Sequence, residues 1–431
     1  MDKKIVTGLG EDIDSAILEL YKNYDRRLIE WFGGLWDGEV GGFYYSGTAR
    51  DYEGFLPDCE STCQALGCLG AVCDVSEWDG GLLKALPASV LEGIGRFFSS
   101  LEDEDGYFYH PQWGKGIGSS RRGRDIDWIT GFARANGIKL PYPTAYERLS
   151  GSAGEGKAGL PSHLVSKENF IKYLDELDIE SHPHNKGHAL NSQHGQIKSA
   201  GLCDTLFDYV DALQEKIQQR LIARGEKPNG LLGEKANYIT ISGLFKIGAI
   251  YNAQGRAFKY AEEMIDSGIK AILSDEVPEV VIYVFNPWSG LTAAVQNMEM
   301  VNKSAPGTYD MEAVYAKIRA AAPEMIHKTA KKLSAFKTPD GAFSFCIGKA
   351  APYTQGVHVS LGIHEGEVNG TVLAVNGVTR SVFQCLGVKR PPLFSSDDVR
   401  RLAEIISDFK PREKKPVPAE YRDDPAIWGK K

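Results

Sequence analysis

DGEVGGFYYSGTARDYEGFLPDCESTCQALGCLG, residues Asp37 to Gly70, decides the reading of this chain. Its first half is a glycine-rich turn followed by aromatics. Its second half opens at Pro57, has acids at Asp58 and Glu60, and runs on through small and apolar residues. Thr62, Leu66, Leu69 and Cys73 recur at spacings of three and four, which predicts a helix with Asp58 or Ser61 as its cap.

The same layout returns along the chain. Residues 11–32 carry an apolar stripe at helical spacing, ended by Gly33 and Gly34. A helix is expected at about 88–101, then an acidic turn at Asp105-Gly106 with aromatics after it, then a helix led by Asp125-Ile-Asp127-Trp128. Residues 136–165 read as a long loop. Helices are expected at 166–178, 205–223, 238–252, 257–273 and 311–336. The apolar VVIYVF before Asn286-Pro-Trp288 reads as either a short strand or the start of a buried helix. Asp340-Gly341 opens the last copy, whose helix shows Val368, Val372, Val375, Val378, Val382 and Leu386 on one face. The turns at 37, 105, 229 and 340, with the helices between them, imply about six hairpins, the mark of a repeat architecture. Six hairpins that each bury one face can close into a ring of inner and outer helices without end caps. The expected fold is all-α, one (α/α)6 toroid over 1–410, with a charged tail at 411–431.

Composition bounds the rest. The chain has 431 residues, is 42% hydrophobic and 25% charged, and carries a net charge of −8 with both signs mixed. No broad basic field exists to neutralise phosphates, so nucleic acid is not the expected partner. No apolar run is long enough to span a bilayer, and Met1-Asp-Lys-Lys leads into a polar segment, so the expectation is a cytoplasmic protein away from membranes. Four of the seven cysteines (Cys59, Cys63, Cys68, Cys73) share one helical stretch and read as buried small residues.

The motif DG-x-x-GGF followed by EST-x-QAL resembles the repeat of the (α/α) toroid proteins: protein prenyltransferase β subunits, terpenoid cyclases and, more distantly, helical-toroid carbohydrate enzymes. The likeness is clear at 37–70 and 340–387, weaker at 105–135 and periodic elsewhere. It implies the fold; these toroids host many reactions. The prenyltransferase zinc set is not recognisable, Asp125-Ile-Asp127-Trp128 stops short of the terpene cyclase acid motif, and the histidine motifs of sugar epimerases are not found. No nucleotide-binding glycine pattern occurs.

Four groups of residues carry possible chemistry. Glu60, Asp127 and Glu367 each stand near the start of a post-turn helix with a threonine soon after, and opposed carboxylates suit glycoside cleavage. Acids also favour helix N-termini for their own sake, so caps are the competing reading. The second group is Tyr107, Tyr109, His110 and Trp113 as sugar-stacking subsites, with the arginine run Arg121, Arg122 and Arg124, of which Arg122 and Arg124 would bind an acidic group, and Tyr109 as a possible base. The third is the histidine segment, His182, His184, His188, Asn191 and His194, read as a polar funnel loop in which Asn191 and His194 touch substrate. Its H-x-H-x3-H spacing lacks the companions of a zinc site, so no metal and no cofactor are expected. The fourth is His358, His364 and Glu365 beside Glu367, with His364 and Glu365 as substrate contacts; Asp58, Tyr44 and Trp288 are further candidates for substrate binding. These groups lead to a carbohydrate-active enzyme that cleaves an oligosaccharide by general acid/base chemistry as a glycoside hydrolase. The alternatives are a polysaccharide lyase on a uronate-containing glycan, with Tyr109 or His194 as base, an isoprenoid-binding or cyclising toroid, and a non-catalytic binding toroid.

Overall fold

A computed structural model of the chain describes residues 6–151 and 161–422. It is all-α. The strands among the described residues are two short pairs, Trp36–Asp37 with Gly42–Phe43 and Tyr353–Thr354 with Val357–His358.

Two kinds of helix follow from two kinds of sequence. Cys59–Val72 and the stretch 284–295 of Ile282–Ser304 are apolar or small on nearly every side and are buried almost throughout. Ala88–Leu101 and Ala261–Leu273 bury one stripe only, Val90, Ile94, Phe97 and Phe98 in the first case. Each such side chain stabilises the fold by about 1.5–3 kcal/mol on burial. Pro183–Asn191 packs on Tyr238–Ala253, that helix on Ile282–Ser304, and that in turn on Val378–Leu386. Val368–Val372 packs on Cys59–Val72, which packs on Ser119–Asn136. Met311–Ser334 contacts Glu11–Tyr21, Ala261–Leu273 and Val378–Leu386.

The repeat has an atomic basis. Phe43 N–H donates to Thr62 Oγ1 at 2.9 Å, and Phe43 C=O accepts from Asp58 N–H at 3.3 Å. Phe343 N–H donates to Thr371 Oγ1 at 3.0 Å, and Phe343 C=O accepts from Glu367 N–H at 3.0 Å. In both copies the acid four residues before the threonine is the helix N-cap, accepting from Ser61 N–H in one and Gly370 N–H in the other. Asp58 therefore matches Glu367, and Glu60 matches Asn369. Gly41 lies at φ 85°, and a Cβ there would come within 2.3 Å of the Gly93 carbonyl. The turn thus requires glycine for both its conformation and its close approach to Ala88–Leu101.

Several sequence expectations shift. The helix expected at 11–32 is two, Glu11–Tyr21 and Arg27–Gly34. The helix expected to be led by Asp125 begins at Ser119, so Asp125 and Asp127 lie in its second and third turns. VVIYVF starts the helix Ile282–Ser304, with Pro287 tolerated near its beginning. The histidine segment is two short helices, Pro183–Asn191 and His194–Ser199, because Pro183 at the first turn and the His182 side chain cap the first of them. The loop expected at 136–165 contains the helix Ala145–Gly151; residues 152–160 of that loop and 423–431 of the tail lie outside the described residues. The start of the tail is tied down. Lys415 N–H donates to Asp51 C=O at 2.8 Å, its C=O accepts from Glu53 N–H at 2.9 Å, and Val417 is buried.

Candidate functional site

The start of Cys59–Val72 and the first half of Ser119–Asn136 meet in a buried charge cluster. Spacings of three and four put Arg121, Arg124 and Asp125 on neighbouring faces of their helix. Arg121 is completely buried. Its guanidinium lies 2.9 Å from Glu60, 2.9 Å from Asp125 and 3.6 Å from Asp58. Arg124 donates from Nε to Glu60 Oε1 at 2.8 Å, and Gln64 Nε2 reaches the same oxygen at 3.0 Å. Burial alone would raise the Glu60 carboxyl, but Arg124 and then Arg121 hold it below its ordinary value. Burial wins for Asp125, which is pushed up to about 6 against the pull of Arg121. Cys59 Sγ donates to Asp125 at 3.2 Å.

Beside this cluster stands a group of bases and cations. His184 and His188 are one turn apart on Pro183–Asn191, and Lys246 comes from the tightly packed Tyr238–Ala253, where Gly187 would place a Cβ 3.2 Å from the Lys246 Cβ. Lys246 has no carboxylate partner among the described residues. Burial, then Arg124, lowers its amine to about 8. Burial, then Lys246, lowers both His184 and His188 to about 4. His184 is 8% exposed, and its Nδ1 has no hydrogen-bond partner among the described residues. From the opposite side the hairpin Tyr353–His358 brings Gln355 Oε1 to 3.1 Å from His188 Nε2. Unpaired positive charge and neutral imidazoles in one place suit an anionic ligand and a proton to be removed.

The other residues singled out from sequence are distributed as follows. Glu367 is fully buried at its cap and accepts from Tyr45 Oη at 2.7 Å, Ala351 N–H at 2.5 Å and Gly370 N–H at 3.3 Å; burial still pushes it up to about 8. Glu365 accepts from Ser46 Oγ and from both the backbone and hydroxyl of Thr48. His364 is exposed. Asp127 is exposed and lines a separate groove of about 460 Å³ with Cys63, Leu66 and Trp128. Tyr109 donates its hydroxyl to Asp105 at 2.7 Å and is pushed up to about 12 by burial and then by that carboxylate, which removes it as a ready base. His194 Nε2 pairs with Gln254 Nε2 at 2.9 Å. Asn191 Nδ2 donates to Lys246 C=O at 3.3 Å.

His110 Nε2 lies 2.8 Å from Pro57 C=O, its Nδ1 accepts from Gln112 N–H, and its ring stacks on Trp113 at 4.1 Å. That pair acts as a brace under the start of Cys59–Val72, with Arg121 5.1 Å from the indole. Arg122 sits 5.4 Å over the Tyr107 ring. Tyr44 donates to Asp37 at 2.8 Å and faces a different groove, lined also by Arg50, Phe409 and Lys414. Trp288 is fully buried and donates to Thr329 at 2.8 Å, so it belongs to the core. The structure brings together Asp58, Glu60, Arg121 and Arg124 of the expected residues, with His184 and His188 of the histidine segment; it adds Asp125, Lys246 and Gln355. The signal for Lys246 was present in the sequence as a single charge within the apolar run ISGLFKIGAI.

Among the described residues no group of three or more His, Cys, Asp or Glu side chains is placed to hold a metal ion, and no helix is long and apolar enough to cross a membrane. All seven cysteines are free. No protein family, curated protein or solved structure shows a match to this chain.

Proposed function

We propose that the chain is an (α/α)6 toroid that cleaves a uronate-containing glycan by β-elimination, a polysaccharide lyase. The toroid reading is supported by the chain of helix contacts from 183–191 through 238–253, 282–304, 368–386 and 59–72 to 119–136, and by a second layer packed outside it. The carrying observation for the reaction is Lys246: a half-buried amine without a carboxylate partner among the described residues, beside Arg124 and the imidazoles of His184 and His188. A uronate carboxylate there is neutralised by Lys246 and Arg124, which makes the neighbouring C–H acidic. His188 accepts that proton. The electron pair left behind forms the double bond, and the glycosidic oxygen on the next carbon leaves with its bonding pair and takes up the proton that His188 has received. His188 is a weak base because burial, and then Lys246, disfavour its charged form. An arriving carboxylate offsets the Lys246 contribution and raises its basicity.

Hydrolysis as a glycoside hydrolase has less support. It needs two available carboxyl groups. Glu60 already receives four hydrogen bonds from Arg121, Arg124 and Gln64, Glu367 receives three at a buried cap, and Asp127 lines another groove.

A panel of neutral and uronate-containing glycans tests the proposal. A lyase gives products with a conjugated double bond and new ultraviolet absorbance, and Lys246→Met or Arg124→Ala removes that turnover. New reducing ends without absorbance, or turnover of neutral glycans that survives both substitutions, would overturn it.

A further inference from the structure

Gln355 occupies a costly backbone position. It lies at φ 50°, and among the described residues only Asp178 and Gln355 are non-glycine residues in the left-handed region. It forms the tip of the Tyr353–His358 hairpin with Gly356, at φ 81°. A two-residue turn with both central residues at positive φ ordinarily takes Asn-Gly, Asp-Gly or Gly-Gly. A glutamine there costs about 1–2 kcal/mol of local strain, and its longer side chain is what the position gains.

That side chain is held at its destination. Gln355 Oε1 lies 3.1 Å from His188 Nε2 and accepts from Ser120 Oγ at 3.2 Å. The other contact of His188 Nε2 is Ser192 Oγ, at 3.4 Å. Both of these hydrogen bonds are made through Nε2. The hairpin is fixed from outside by Gln112 Nε2, which donates to His358 C=O at 2.8 Å, and closed at its base by Val359 N–H, which donates to Pro352 C=O at 2.9 Å. The tip therefore presents its side chain from a braced frame.

We propose that Gln355 is a positioning residue that holds His188 in the tautomer with the proton on Nε2 and the lone pair on Nδ1. An amide oxygen only accepts, so the nitrogen facing it carries the hydrogen. Nδ1 is then the atom that receives the substrate proton. The assignment of Nδ1 as the receiving atom rests on the elimination reading; the tautomer itself does not.

The experiment separates the two. Full-length protein labelled with 15N-histidine is examined without substrate by ring nitrogen–proton correlation spectra, with the His188 signals identified by their loss in His188→Gln. Wild type is expected to show the Nε2–H pattern. Gln355→Leu loses that pattern at His188, and Gln355→Glu, which also presents an acceptor oxygen, restores it. The His110 signals, set by Pro57 C=O on Nε2, stay unchanged in both variants and report an intact fold. An Nδ1–H pattern in wild type, or a His188 spectrum untouched by Gln355→Leu, overturns the proposal. Failure of the glycan assay with the tautomer confirmed would instead overturn the elimination reading alone.

Discussion

Arg121→Met tests the charge cluster most directly. The guanidinium is completely buried and serves three carboxylates, two of them at 2.9 Å and the third at 3.6 Å. A hydrogen bond to a charged group contributes about 1.5–3 kcal/mol, so the two close contacts give about 3–6 kcal/mol. Removing one partner of a buried ion pair independently costs about 3–5 kcal/mol, because the charge left behind is uncompensated. Methionine keeps much of the volume, so the loss is electrostatic more than steric. We expect Arg121→Met to lower unfolding free energy by about 3–5 kcal/mol in urea titrations at pH 7. The sign of its pH dependence follows from the carboxylates. Glu60 is held below its ordinary value in the folded wild type, so its stabilisation is full above that value and is lost on acidification. In the variant Asp58, Glu60 and Asp125 escape their penalty by taking up protons. The gap between variant and wild type should therefore narrow as pH falls from 7 towards 4. The control is Lys317→Met, which removes a surface contact to Asp266 and should leave the urea midpoint unmoved. A loss below about 1 kcal/mol for Arg121→Met, or one independent of pH, would refute the reasoning.

Two further outcomes follow from single positions. Burial raises Glu367 from 4.5 to about 8, so the folded state binds its proton more tightly than the unfolded chain and wild-type stability falls as pH rises between those values; Glu367→Gln should flatten that slope in thermal unfolding across pH 4.5–8, and an unchanged slope would assign it to other groups. Gly41→Ala adds a Cβ against the Gly93 backbone at positive φ and should cost at least about 2 kcal/mol, whereas Gly67→Ala, with open space around its Cβ, should be tolerated or stabilising by circular dichroism melts.

Local chemistry made much of the fold legible in the sequence. The apolar periodicity of 88–101 and the all-round apolar character of 59–72 gave helices of two kinds, and both occur. The threonine four residues after a capping acid, Asp58 to Thr62 and Glu367 to Thr371, recorded the repeat register directly, since each threonine receives the N–H of the turn's phenylalanine. Pairing Glu60 with Glu367 missed that register by two residues. The start of 119–136 was misplaced because Gly118 supplies no side-chain cap and the segment's apolar residues begin late.

The site was another matter. Glu60, Arg124, His188, Lys246 and Gln355 come from segments separated by tens to hundreds of residues, and nothing local distinguishes a clamped carboxylate from a free one. Whether Glu60 is an acid, a base or a counter-ion depends on Arg121 and Arg124 arriving from the next hairpin. Whether Lys246 is an ordinary surface amine depends on its partial burial between packed helices, next to Arg124, His184 and His188. Helix type and turn geometry are set by neighbours three or four residues away, so the sequence carried them. Charge state and hydrogen-bond occupancy are set by desolvation and by distant partners, and only the tertiary structure decided those.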